Sequence, residues 1–418
     1  MFPFLFFWLL FFTYQYNYFH TVDEGFFEEF QQDSESLVLG GIIADRIVLE
    51  KHGWNLGYVN FDHPDNVKTQ YNFFSLEKSN SNFAFIPYKS QVGIQGSIYS
   101  LITKVLNVKS VEKLEFIPSA ALALLVVFFH FLHAKIYGKT YAFLFSLTFI
   151  FSPWIIVFAR NLYWSPFLWL LPTLLATYAF ITKKTYIRKI CYFFLFFFFF
   201  LKCLCGYEYI TSLTLLACSP FIVGPFFNGK KRPDLKSAAL IFLLCILGFA
   251  SAFLIHANNR GQTIRDGAIA IYKEDVMRRT YSNPSNFDSI YADSLKSSPL
   301  IVLKKYIFDW DTPLFSWVTA KFFNILILLA FLDLAFKKKI LDKTYLRDFA
   351  LISFMSLIPL SWFILAKAHS YAHFSMNYVL WYLGFIPALL YVGINLFLIL
   401  YVYCKHLYKN LIHKIFNL

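Results

Sequence analysis

Apolar positions in this chain fall into long unbroken runs, not into the alternation of a half-buried strand or the one-sided stripe of a soluble helix. About 20 apolar residues carry a helix across a bilayer. Ten stretches approach that length: residues 2–19, 114–132, 141–159, 166–181, 191–205, 210–227, 238–256, 317–336, 349–366 and 379–403. In the first, the apolar run stops near Phe12, and residues 13–18 read as an interfacial aromatic belt. It has no basic flank and no small-residue cleavage site, so a retained anchor is expected there, although the start codon is open to an upstream alternative.

Two long polar segments interrupt the runs, residues 20–113 and 257–316. Within the first, residues 34–51 place Leu37, Val38, Ile42, Ile47 and Leu49 on a stripe, and residues 94–106 do the same with Ile98, Leu101, Ile102 and Val105. Both predict amphipathic helices lying on the membrane surface. Residues 54–87, rich in Asn, Asp, Ser and Gly, predict irregular structure. The pattern predicts an all-α polytopic membrane protein. One transmembrane domain of about ten helices spans 1–418, with two long extracytoplasmic loops and no internal repeat or linker.

Composition strengthens this. Of 418 residues, 58% are hydrophobic and 15% charged, with 53 phenylalanines, against roughly 45–50% and about 25% in soluble domains. A cytosolic enzyme, a disordered chain and a disulfide scaffold are excluded. The six cysteines all lie in apolar stretches, where a thiol behaves as a small hydrophobe. The net charge of +13 does not point to nucleic acid, because the basic residues gather at the ends of apolar runs. Cytoplasmic loops accumulate Lys and Arg. Lys135 and Lys139, residues 183–189, Lys230 to Arg232, Lys337 to Lys339 and the tail lysines therefore predict cytoplasmic sides and cytoplasmic termini. Both long loops then face outward, into a periplasm or a lumen.

Chemistry-bearing residues concentrate on that outer side. Asp33-Ser34-Glu35 follows the first run. Its carboxylates converge if the segment is extended, but diverge by about 200° on a helix. A partly desolvated carboxylate there suits a general base; N-capping of the following helix suits it equally. Asp23-Glu24 and Glu28-Glu29 compete for the same role. Arg160, in the turn 160–165, is the only basic residue of the short outer turns. It fits either a phosphate fork or headgroup anchoring with Tyr163 and Trp164. Tyr207-Glu208 occupies the next turn, and Glu208 is the only acidic residue between Glu115 and Asp234. It reads as a functional group at membrane depth or as a buried partner of Lys202 or Arg160. His369 and His373 are four apart and share a helix face, suited to phosphate contact, proton transfer or interfacial capping. No Glu follows the first histidine as it does in a zinc protease helix. Asp309 and Asp311 suggest a helix-start turn more than a metal pair, and Arg278-Arg279 reads as solvated.

In organisation the chain resembles the GT-C superfamily of membrane glycosyltransferases. The likeness rests on a first span, then a long outer loop in which Asp33-Ser34-Glu35 leads into an amphipathic helix and Gly53-Trp54. Aromatic-rich spans with short inner loops and a late second outer loop complete it. It covers the N-terminal half well and the rest loosely. A large soluble C-terminal domain is lacking, so the chain is more like small bacterial lipid- or polysaccharide-modifying members. The resemblance implies an inverting transfer of sugar from a polyprenyl-phosphate carrier to a lipid, glycan or protein acceptor. The active site would face the periplasm or exterior of a bacterial inner membrane. Asp33 matches the family's loop-one acid, with Glu35 beside it. Arg160, Tyr207, Glu208, His369 and His373 would contact the donor phosphate. A divalent metal, Mg or Mn, stays open because no second catalytic carboxylate stands out. Two other classes fit in part. A polysaccharide polymerase or ligase would use the loop arginines Arg260, Arg265, Arg278 and Arg279. A transporter would need midplane charge pairs and inverted repeats, which the sequence does not display.

Overall fold

The computed structural model describes residues 2–60, 66–74, 83–308, 313–315 and 318–416, and helices dominate it. Four helices are long and apolar enough to cross a membrane: Val111–Ile136, Ile210–Phe227, Leu235–Arg260 and Tyr345–Leu365. Two bent pairs raise the count to six if each is one span. That falls short of the ten expected from the apolar runs. Phe2–Tyr16 and Phe167–Ile181 are only 15 residues each, about 22 Å of helix against a hydrocarbon core of about 30 Å.

The bent pairs have local causes. The run 141–159 is not one helix but Lys139–Phe151 and Pro153–Ala159, meeting at 66°. Pro153 has no N–H to continue the first helix, and the Ser152 hydroxyl restarts the chain by accepting from the Ile155 amide at 3.1 Å. Near the C-terminus the segment 374–383 meets the next helix at 50°. Gly384 sits at that corner, where a Cβ would come within 2.8 Å of the Met355 sulfur.

The first long loop corrects two expectations. Residues 54–87 are not irregular throughout: strand β1 (Gly57–Asn60) pairs antiparallel with β2 (Ala84–Pro87), Gly57 opposite Pro87, with a helix Asn66–Phe74 between them. The helix expected over 34–51 runs Gln32–Arg46, and every residue from Glu35 to Ala44 is buried. It is therefore a core element of the loop, not a float on the membrane. Gly40 and Gly41 allow this, since a Cβ on either would lie 2.1 Å from the Gly57 or Asn55 carbonyl oxygen. Ile94–Leu106 behaves oppositely. Leu101 and Val105 are exposed while Gln95, Gly96, Tyr99 and Thr103 are buried. An apolar stripe turned outward is the inverse of a soluble helix and suits contact with lipid.

The two long loops and the short turns are stitched together at one end of the helices. Gln95 donates to the Tyr163 and Cys205 carbonyls at 3.0 and 3.1 Å, Ser90 to Asp275 at 2.8 Å, and Lys367 to the Leu295 and Ser297 carbonyls at 2.5 and 2.6 Å. At the other end, Lys337 is not a solvated loop lysine. It is buried between Asp333 and Asp348 at 2.6 and 2.5 Å, and Arg347 holds the second Asp348 oxygen at 2.7 Å.

Candidate functional site

The helix Gln32–Arg46 begins at Gln31, whose φ of 58° is left-handed, so Asp33 and Glu35 both lie inside its first turn. On a helix, positions two apart point to different sides. They do so here, and the two carboxylates line different cavities. This corrects the expectation of a paired acidic site.

The first cavity, about 310 Å³, brings Asp33, Glu208, His369 and His373 together with Arg278 and Arg279. The aromatic rings of Tyr88, Tyr163, Trp164 and Tyr291 complete its walls. Glu208 is 8% exposed and faces Arg279, Oε1 to Nη1, at 4.0 Å. Burial opposes the charge on Arg279, but Glu208 with Tyr88 and Asp275 outweighs it, leaving that guanidinium harder to deprotonate than usual. Arg278 reaches Asp275 at 3.6 Å and the Tyr291 hydroxyl at 3.4 Å. These arginines follow directly on a π-helical turn, Tyr272–Val276, an irregularity that often accompanies functional positions. Lys202, expected as a partner of the Glu208 carboxylate, instead donates to the backbone carbonyls of Gly206 (2.7 Å) and Glu208.

The histidines come from the turn after Tyr345–Leu365, with ring centroids 4.7 Å apart. Asn377 donates to His369 Nδ1 at 3.3 Å, placing the His369 proton on Nε2. Burial, then His373 and the two arginines, push His369 well below its ordinary pKa. His373 is also lowered, by burial first and then Arg279, while Asp33 and Glu208 pull the other way. Both rings are neutral at pH 7. Asp33 itself is exposed at the cavity wall.

Three expected residues are elsewhere. Glu35 is buried and its oxygens are taken: Leu162 N–H donates to Oε1 at 2.8 Å and the Tyr71 hydroxyl to Oε2 at 2.6 Å. Burial raises its carboxyl above the ordinary range against the pull of those two bonds. Arg160 does not meet the first cavity. It pairs with Glu28 at 3.0 Å and Glu115 at 3.6 Å, donates to the Phe27 carbonyl at 3.2 Å, and stacks over the Phe27 ring at 4.0 Å. Tyr207 turns away to meet His256 Nδ1 at 3.2 Å, whose other nitrogen donates to the Lys89 carbonyl at 3.0 Å. Glu35 and Arg160 line the second cavity, about 510 Å³, among Glu24, Glu28, Glu112 and Glu115.

Arg278 and Arg279 were read as solvated, and only topology reveals otherwise: the second loop folds back across the His369 turn. Asp309 and Asp311 lie outside the described residues. Among the described residues no group of three or more His, Cys, Asp or Glu side chains is arranged to hold a metal, so the mechanism below routes no step through Mg or Mn. No protein-family model, curated protein or solved structure matches this chain.

Proposed function

We propose that the chain is an integral membrane glycosyltransferase moving a sugar from a polyprenyl-phosphate carrier to an acceptor hydroxyl. The observation that carries this is the single cavity in which a carboxylate, Asp33, shares space with two guanidinium groups, Arg278 and Arg279, and two neutral histidines. A phosphate leaving group gains charge as the glycosidic bond breaks, and preorganised guanidinium donors meet that charge. The acceptor hydroxyl forms the new bond to the anomeric carbon and passes its proton to Asp33, with His373 in the same electrostatic environment. One displacement inverts the anomeric centre. Aromatic walls suit sugar faces, and the adjoining apolar helices suit the isoprenoid tail. The basic inner loops favour ten spans, some short or bent, with this cavity on the outer side of a bacterial inner membrane.

A second reading has its own support: a polysaccharide polymerase or ligase, for which arginines of the second outer loop matter most, and two of those line the cavity. One assay separates the readings. Transfer is measured in membranes from a polyprenyl-phosphate sugar, with protein level checked in parallel. Asp33→Asn keeps size and removes the base, so transfer should fall by roughly 10²–10⁴-fold while donor binding persists. Near-parental transfer by Asp33→Asn alongside inactive Arg279→Ala would reject the Asp33 base and favour the polymerase reading.

A further inference from the structure

We infer that the second cavity is a binding site for a ligand that carries a protonated amine beside hydroxyl groups, the chemistry of an amino sugar. It does not depend on the transferase reading, because binding is read without turnover. Four of its wall residues, Glu24, Glu28, Glu112 and Glu115, are carboxylates that face only one cation, Arg160. Arg160 is already spread over Glu28 and Glu115. Glu112 makes no ion pair among the described residues. An anion is repelled here, and an ammonium group is drawn in.

A second observation points to the same ligand independently. Gln15 lines this cavity and is fully buried, and its amide oxygen accepts from the Ser119 hydroxyl at 2.9 Å. That bond orients the amide and leaves Nε2 with no partner. A buried donor without an acceptor is rare in folded proteins. It asks for an oxygen on whatever fills the space, which a bare ammonium ion lacks and a hydroxylated amine supplies. The carboxylates do not close on a point as metal ligands would. The cavity of about 510 Å³ is in the range that holds small organic ligands. Tyr16 and Tyr71 add ring edges to its wall.

The ethanolamine headgroup of a lipid shares the amine, but brings a phosphate that would meet the same glutamates, so the amino sugar is the better fit. The test is calorimetric titration of the full chain in phosphatidylcholine nanodiscs at pH 7, using glucosamine, glucose, N-acetylglucosamine and magnesium chloride as probes. Glucosamine should bind saturably at about millimolar concentration, and the two neutral sugars at least about tenfold more weakly. Glu112→Gln should weaken glucosamine by about threefold or more through loss of one charge. Gln15→Leu should weaken it too. Asp33→Asn, in the other cavity, should leave it unchanged. The proposal is overturned by equal binding of all three sugars, by magnesium displacing glucosamine, or by Glu112→Gln binding as well as the parent. Loss of binding in Asp33→Asn would move the ligand to the first cavity. Competition from phosphatidylethanolamine added to the disc would assign the site to that headgroup. A failed transfer assay would leave every one of these outcomes unaffected.

Discussion

Two cavities share the first turn of the Gln32–Arg46 helix as a wall, and they have opposite electrostatic character. Asp33 faces one and Glu35 the other. In the first, two arginines from the second long loop meet Glu208 and two neutral histidines. In the second, carboxylates outnumber the single guanidinium of Arg160. The turn that carries Arg160 also serves both sides, since Tyr163 and Trp164 line the arginine cavity. The difference teaches that a carboxylate's neighbours, not its place in a motif, set its role. Asp33 stays exposed beside cations. Glu35, two residues on, is spent holding Leu162 and Tyr71.

The comparison breaks most visibly at the arginines. Arg279→Ala removes the cation facing Glu208, and transfer from a polyprenyl-phosphate sugar should drop by about 10²–10³-fold with weaker donor binding. Arg279→Lys should recover little of it if both guanidinium nitrogens grip phosphate oxygens. Arg160→Ala should lower donor affinity far less, while leaving Glu115 buried without its cation and lowering the thermal midpoint. Equal loss of donor affinity in the two alanine variants would erase the distinction between the cavities.

Smaller effects separate the two acids. Glu35→Ala leaves the Leu162 amide without an acceptor, a penalty of about 1–3 kcal/mol. Its thermal midpoint should fall, and the fraction that remains folded should still bind donor. Asp33→Asn should do the reverse, keeping the midpoint and losing transfer. Gly41→Ala would press a methyl onto the Asn55 carbonyl and distort the shared wall, destabilising by about 1–3 kcal/mol. Both ligand-binding activities should fall together in that variant.

The smallest effect is a pH dependence carried by His369. Its pKa in the folded chain lies below the ordinary histidine value because of burial first, then His373 and the arginines. Below pH about 6.5 the unfolded chain takes up a proton that the folded chain refuses. Stability should therefore be level above that pH and fall as the pH drops from there toward the folded-state value. The slope is at most about 1.4 kcal/mol per pH unit for one proton. Thermal midpoints at pH 7.5, 6 and 5 would read it, and His369→Gln should flatten the decline. An unchanged slope in that variant would remove His369 from the account.

Much of this was legible in the residues alone. Apolar runs dictate helices, because a backbone away from water must satisfy its own hydrogen bonds. Glu208, His369 and His373 stood out because ionisable groups beside apolar runs are expensive to keep without a use. What the chain did not disclose locally was register and return path. Whether Asp33 and Glu35 converge depends on where the helix starts, and the left-handed Gln31 starts it before both. Whether Arg160 meets phosphate or glutamate depends on Glu28 and Glu115, each at least 45 residues away in sequence. Arg278 and Arg279 become site residues only because the second loop folds over the turn at His369. Periodicity reports which residues lose water. Only packing between distant segments decides which charges then meet, because a charge's partner is set by proximity in space and its own neighbours in sequence carry no record of it.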